Sequence, residues 1–325
     1  GNTPKIILHP QSKHWIPRCK ETTMKPQVRL TMGLFGILLF ASHLPLRAAD
    51  PATTTPAEGK LNNLWTRQTG QDWTTFLGPT GDSKSAETGI VTPWPKEGPK
   101  LVWTKRVGTG YGIGSISRGR YYHFDRWDPR PRAPIGKARL TCMHAETGKE
   151  FWRFEYDTQY EDLLGYNNGP RCSPVIEGNR VYIYGAEGML HCLRANDGKP
   201  IWNVNTVKKY GVVQNFFGVG STPVIEGDLL ICMVGGSPPG SPQLYASNGN
   251  VDGNGSGIVA FNKYTGKEVY KITDELASYA SLKTTSIDGR RWGLAFCRGG
   301  LVGFEPGSGK VHFQYPWRSR MLESV

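Results

Sequence analysis

The sequence predicts an all-β fold, a β-propeller of four-stranded antiparallel blades, and three observations carry that prediction. A turn of the form x-Gly-Lys recurs four times, at Thr147-Gly148-Lys149, Asp197-Gly198-Lys199, Thr265-Gly266-Lys267 and Ser308-Gly309-Lys310. Four residues after each glycine stands an aromatic: Trp152, Trp202, Tyr270 and Phe313. Apolar residues alternate in short runs such as Arg180–Tyr184 and Leu229–Val234, bounded by Gly, Asn or Asp, which is the period of strands and not of helices. The 41 glycines and 23 prolines supply the turns that many short strands need.

The start of the chain stands apart from this fold. Residues 1–23 show no periodicity and read as an upstream, non-native extension. From Met24, Lys25 and Arg29 precede an apolar run from Met32 to Ala41, with small residues at Ala48 and Ala49; this is the layout of a secretory signal over residues 24–49. The run is too short to span a bilayer as a stable helix, so a secreted or periplasmic protein without a transmembrane span is expected. Residues 50–72 read as a linker and 73–325 as a partial propeller. The net charge of +12 would by itself suggest a nucleic-acid partner, but residues 1–49 hold seven Lys and Arg against the single acid Glu21, so no nucleic acid is expected. Much of the remaining excess lies between Arg118 and Arg139, where Arg118, Arg120, Arg126, Arg130, Arg132, Lys137 and Arg139 meet only Asp125 and Asp128. With Pro and Trp interleaved, that stretch reads as a solvated excursion between two strands.

The repeat can be read strand by strand. A second marker precedes the x-Gly-Lys turn, as SPVIEGN (Ser173 to Asn179) and TPVIEGD (Thr222 to Asp228), with degenerate forms at Ser115 to Arg120 and Thr285 to Arg291. Eight residues before each repeat glycine stands Leu140, Leu190, Ile258 or Leu301. The unit is therefore strand, E-G-N/D turn, strand, short turn, strand, x-Gly-Lys turn, strand. Gly148, Gly198, Gly266 and Gly309 are placed where a tight antiparallel connection needs positive φ. The aromatic then falls on one face of the sheet, as the plug between adjacent blades. One such sheet cannot bury its face alone, so copies must stack. Glycine spacings of 50, 68 and 43 residues fit blades with rim insertions, the longest interval holding the polar loop Gly235 to Gly257. Six residues before the glycines stand Cys142, Cys192, Ala260 and Gly303, so the two cysteines read as small buried residues despite the oxidising compartment that a signal implies.

The pattern A-x-[TD]-G-K-x-x-W, joined to S/T-P-V-I-E-G-N/D, resembles the pyrroloquinoline-quinone-type β-propeller repeat of quinoprotein alcohol dehydrogenases and of outer-membrane-assembly lipoproteins. The lead-in from Trp73 (WTTFLGPTGD, then TPWPKEGPKLVW to Trp103) is similar to that of secreted members of the superfamily, and the resemblance covers Trp73 to Trp317. It implies a ring of seven or eight blades, of which this chain is expected to hold four to five, its C-terminal blades missing. It also implies, for the dehydrogenases, a quinone over a vicinal cysteine pair, a calcium site of Glu and Asn or Asp, and a catalytic aspartate. No adjacent cysteines occur here, and no catalytic residue can be carried over.

Two further constellations read as structural. Asp252 to Gly257 resembles the start of a calcium loop, but Lys263 takes the place of the bidentate glutamate, which leaves a glycine-rich turn and no metal. His144 and His191 stand at different offsets from their glycines and share no face. Because the family places the S/T-P strand nearest the channel, ligand contact is expected from the loops before it: Tyr166, Asn168 and Arg171; Gln214, Asn215 and Phe217; and Tyr279 and Lys283. The reading that follows is a secreted, non-catalytic scaffold binding a protein or polymer at its rim or channel mouth. Two alternatives stand beside it: a dehydrogenase dependent on pyrroloquinoline quinone and calcium, and an extracytoplasmic sensor module of a larger protein.

Overall fold

The structure, a computed structural model, describes residues 61–128, 135–242 and 251–318. The expected extension and signal segment, Cys19, and Arg130 and Arg132 of the basic stretch lie outside these residues. The described residues form four antiparallel sheets, each a four-stranded meander in chain order. Blade 1 holds β1 (Ser115–Ser117), β2 (Arg120–Trp127), β3 (Gly136–His144) and β4 (Glu150–Thr158). Blade 2 holds β5 (Val175–Glu177), β6 (Arg180–Tyr184), β7 (Met189–Arg194) and β8 (Pro200–Asn205), followed by the short helix α1 (Thr206–Tyr210). Blade 3 holds β9 (Val224–Glu226), β10 (Leu229–Met233), β11 (Ile258–Asn262) and β12 (Glu268–Ile272). Blade 4 holds β13 (Lys283–Ile287), β14 (Arg290–Phe296), β15 (Gly300–Phe304) and β16 (Val311–Pro316). These are propeller blades, and the ring is not closed by the described residues.

Burial follows position in the blade. Every residue of β6, a second strand, is buried, whereas β4, on the rim, alternates half-buried and exposed. Side chains of period 2 leave each sheet in both directions, so each pair of adjacent blades shares a core. Tyr122, Phe124, Leu140 and Cys142 of blade 1 meet Ile176, Val181, Ile183 and Leu193 of blade 2. Tyr182, Tyr184, Leu190 and Cys192 of blade 2 meet Leu230, Cys232, Val259 and Phe261 of blade 3. Ile231, Met233, Ile258 and Ala260 of blade 3 meet Ala295, Cys297, Val302 and Phe304 of blade 4.

The repeated turn and the repeated aromatic join these cores at one end. In all four turns the chain closes through the same bonds, for example Arg194 N–H to the Lys199 carbonyl and Gly198 N–H to the Arg194 carbonyl. The glycines sit at φ 69°, 72°, 69° and 77°. In blades 1 to 3 the aromatic then reaches the turn of the following blade; Phe313 of blade 4, expected to dock likewise, is 40% exposed and lies against Trp292 of its own sheet among the described residues. Trp152 Nε1 donates to the Ala195 carbonyl at 3.1 Å, Trp202 Nε1 to that of Lys263 at 3.0 Å, and Tyr270 Oη to that of Pro306 at 2.7 Å. All three acceptors stand three residues before the turn glycine. The second strand adds Tyr122 Oη to the same Ala195 oxygen and Tyr182 Oη to the same Lys263 oxygen. Each ring lies over the glycine itself: a Cβ on Gly198, Gly266 or Gly309 would stand 2.4 Å, 2.7 Å or 2.6 Å from Trp152, Trp202 or Tyr270. The small residues six before the glycine have the complementary reason. Cys142, Cys192, Ala260 and Gly303 pair directly across the strands with Trp152, Trp202, Tyr270 and Phe313, and a Cβ on Gly303 would fall 2.1 Å from Phe313. A bulge follows that pair in every blade.

One dock precedes the first sheet. Trp103 Nε1 donates to the Ala145 carbonyl at 2.9 Å, and its ring covers Gly148. The lead-in thus presents to blade 1 the contact that a fourth strand presents elsewhere. Residues 61–72, within the expected linker, also lie on blade 1: Leu61 is buried in the first core, and Asp72 accepts from Trp65 Nε1 and Arg118 N–H.

The stretch Arg118–Arg139 differs from a solvated excursion. Most of it is β2 and β3, and Arg120, Arg126 and Arg139 are buried. Arg139 holds Asp125 through two bonds of 2.9 Å and 2.6 Å, while Arg126 bonds Asp128 and the Tyr160 carbonyl. Buried charge is tolerated here because each of these guanidiniums brings a hydrogen-bond partner.

Two expectations follow from this packing. Gly198→Ala combines left-handed strain with the overlap on Trp152 and should cost about 3 kcal/mol. Gly227→Ala, at φ 55° with open space around its Cβ, should cost only about 1–2 kcal/mol. Urea unfolding of both variants measures the difference, and equal losses would remove the ring contact as its cause. The second concerns His191, buried between Phe154 and Tyr156 with ring centroids at 5.2 Å and 4.6 Å, whose pKa burial lowers from 6.5 to about 4. The unfolded chain then binds the extra proton between these values, so stability is full above pH 6.5 and falls as pH drops towards 4, by up to about 3 kcal/mol. His191→Phe should flatten that acid limb in a pH series of unfolding curves.

Candidate functional site

A four-stranded meander sends its connections to two ends. The first-to-second and third-to-fourth turns, with the docking glycines, share one end. The second-to-third turns and the blade-to-blade connections share the other, and there the chain carries its long loops. Between the loops of blades 2, 3 and 4 at that end lies a cleft of about 610 Å³. Its walls are largely apolar, with Val212, Val219, Val234, Pro238, Leu276 and Ala277, and its polar groups come from Tyr160, Glu187, Gln214, Asn215 and Arg298.

Bonds between loops hold these walls. Val219 N–H donates to the Ala186 carbonyl at 2.9 Å, and Gln214 Nε2 to that of Glu161 at 2.7 Å. The Asp252–Gly257 turn is fastened by Asn254, whose Nδ2 donates to the carbonyls of Tyr210 and Ser237 at 2.8 Å each. That side chain is consumed in positioning loop backbone, in keeping with a turn. Glu187 accepts from Tyr156 Oη at 2.6 Å and Thr158 Oγ1 at 3.2 Å, and burial raises its pKa. Burial also raises that of Tyr160, whose hydroxyl therefore stays protonated. Three buried polar atoms here have no hydrogen-bond partner among the described residues: Tyr160 Oη, Asn215 Oδ1 and, beside the lining Pro238, Ser237 Oγ.

The structure distributes the loop residues singled out in the sequence over four settings. Gln214 and Asn215 line the cleft. Tyr166, Phe217 and Tyr279 form an aromatic row, with centroids 6.1 Å apart for the first pair and 5.2 Å for the second, and Phe217 N–H donates to Tyr279 Oη. Arg171 and Asn168 are turned inward. Arg171 pairs with the buried Asp162 at 2.8 Å and donates to the Gly169 and Asn167 carbonyls, while Asn168 Oδ1 accepts from Asp162 N–H. Lys283 faces a different cavity, of about 720 Å³, between the first strands of blades 2–4 and residues 74–82 of the lead-in. There Ile176 N–H donates to the Thr74 carbonyl, so the lead-in pairs with a first strand. Tyr160, Glu187, Ser237 and Arg298 went unnoticed in the sequence. None stands in a repeated motif, and only the glycines flanking Glu187 marked a turn.

Chemically, this face suits binding. Burial pushes the Cys142 thiol up to about 12 and raises those of Cys172, Cys232 and Cys297, the reverse of what a thiolate nucleophile needs. Among the described residues no three His, Cys, Asp or Glu side chains converge as a cation site. No two cysteines are adjacent in the sequence. No described helix is long and apolar enough to cross a membrane.

BamB, the outer membrane protein assembly factor, of Shewanella oneidensis is 26% identical over 114 residues, which are 33% of this chain and 27% of that protein. Among solved structures, BamB from Moraxella catarrhalis is similar over 64% of this chain and 62% of its own, at 16% identity and a TM-score of 0.37. The quinohemoprotein alcohol dehydrogenase ADHIIG from Pseudomonas putida HK5 is similar over 62% of this chain and 34% of its own, at 18% identity and a TM-score of 0.39. That from Comamonas testosteroni covers 76% and 49%, at 15% identity and a TM-score of 0.40. The chain spans less than two thirds of each of these proteins. Residues 136–323, more than half of the chain, match the family described as outer membrane protein assembly factor BamB, and it is to this family that the chain belongs.

Proposed function

We propose that this chain is a secreted or periplasmic, non-catalytic propeller that binds a protein or polymer through its loop face. The observation that carries the reading is the aromatic row Tyr166–Phe217–Tyr279 on that face, with Tyr166 70% exposed and Leu164 beside it 53% exposed. Aromatic side chains offer large contact area at small entropic cost, and such rows concentrate binding energy at interfaces. Membership of a family of assembly factors favours the same reading. The alternative, a dehydrogenase dependent on pyrroloquinoline quinone and calcium, lacks the adjacent cysteines that the resemblance implies for that class.

The test is capture from a periplasmic extract on the full-length tagged chain. Replacing Tyr166 and Phe217 together by Ser should reduce the retained partner about tenfold or more. Lys199→Ser, at the opposite end of blade 2, should leave capture unchanged. Equal capture by the row variant and the unaltered chain, or no capture by either above a blank resin, would refute the reading.

A further inference from the structure

The cleft beside the aromatic row carries its own chemistry. We propose that it receives an extended peptide segment, with an apolar side chain against the valine and proline walls and a backbone amide bonded by Tyr160 Oη and Asn215 Oδ1. This rests on the binding reading above and names the ligand class for one part of the same face.

Two complementary orphans point to an amide. Tyr160 is 4% exposed and Asn215 8%, both line the cleft, and neither Tyr160 Oη nor Asn215 Oδ1 has a hydrogen-bond partner among the described residues. A buried polar group without a partner costs the full loss of its hydration, so a fold keeps such a pair at a stability cost unless something else bonds it. The phenol offers a proton, because burial disfavours its ionisation, and the amide oxygen can only accept. A peptide bond supplies both matching halves, a C=O for the donor and an N–H for the acceptor. A carboxylate or phosphate would satisfy Tyr160 and leave Asn215 facing another acceptor.

The walls settle the rest of the ligand. Val212, Val219, Val234, Pro238, Leu276 and Ala277 present apolar surface that a sugar or a free ion would not cover. One carboxyl group, Glu187, and one guanidinium, Arg298, lie on the lining, so the cleft has no single-sign field to draw a highly charged ligand. Its volume of about 610 Å³ falls within the range that holds a small ligand or a few peptide residues. The walls are already tied together: Ala186 to Val219, Glu161 to Gln214, and Leu276 to Arg298 through its N–H at 3.0 Å. Gly218 lets the backbone lie against the Tyr160 ring, where a Cβ would come within 2.7 Å. A site built in advance spends little of its binding free energy on ordering loops.

The probe is N-acetyl-L-leucine N′-methylamide, titrated into the full-length chain and followed by saturation-transfer NMR and by shifts of the protein amides. Two comparison probes are N-acetylglycine N′-methylamide, which lacks the apolar side chain, and N-acetyl-L-leucine methyl ester, which lacks one N–H. The leucine diamide should bind most tightly, with shifts confined to the cleft. Tyr160→Phe should weaken it about tenfold, the usual scale for one hydrogen bond in a buried site. The same variant should keep or raise the melting temperature, since it deletes a hydroxyl with no partner in the fold; lost binding in a protein at least as stable separates recognition from damage. The proposal falls if Tyr160→Phe leaves the affinity unchanged, if the three probes bind alike, or if none binds. Should no probe bind while partner capture still depends on Tyr166 and Phe217, this inference fails alone and the binding reading stands; should capture also fail, both are lost.

Discussion

Everything in this molecule hangs on one contact: a large flat ring from the last strand of a blade, laid over a glycine in the next blade's turn and bonded to a carbonyl three residues before it. The contact solves two problems together. It buries the edge of a sheet that cannot bury itself, and it gives the ring's polar atom a partner where water is scarce. Glycine is required twice over, once for its left-handed backbone and once for its missing side chain. Even the thin residues six positions earlier in each repeat obey the ring, because they stand across the strands from it.

Because this contact occupies one end of every blade, the other end is left to vary. The short turns with their fixed bonding are held by packing between neighbours. The connections from β4 to β5, β8 to β9 and β12 to β13 are longer and irregular, and all three contribute to the cleft or to the aromatic row. The scaffold thereby separates what keeps the blades together from what meets a ligand. The loops are still not slack: Arg171 and Asp162 form a buried pair that organises the β4–β5 connection, and Asn254 fastens the loop after β10.

The architecture was legible because its causes are local. A strand announces itself by alternation, and a positive φ announces itself by glycine, so the blade unit and the docking aromatics could be read from residues close together in the chain. The candidate site was only half legible, because its parts approach through space. Gln214 and Asn215 could be found by their place before a first strand, whereas Tyr160, Glu187 and Arg298 come from three different connections and share no pattern. Arg171 reads in the sequence as a lone loop cation, and only the fold shows the carboxylate nine residues earlier that pairs with it. The basic run Arg118–Arg139 misled, since charge along a chain does not reveal that Asp125 and the Tyr160 carbonyl stand opposite Arg139 and Arg126. The docking Trp103 shows the converse, a residue in an irregular lead-in whose role appears only when its bond is compared with those of the blades.

The ring and its glycine always belong to different copies of the repeat. Each copy is thus a tile whose leading edge fits the trailing edge of an identical tile. Duplicating such a tile creates no new surface to be optimised, since the seam already exists elsewhere in the same array. Removing a whole copy would leave the remaining seams as they are, whereas a change of one residue at a seam damages a contact that both neighbouring copies need.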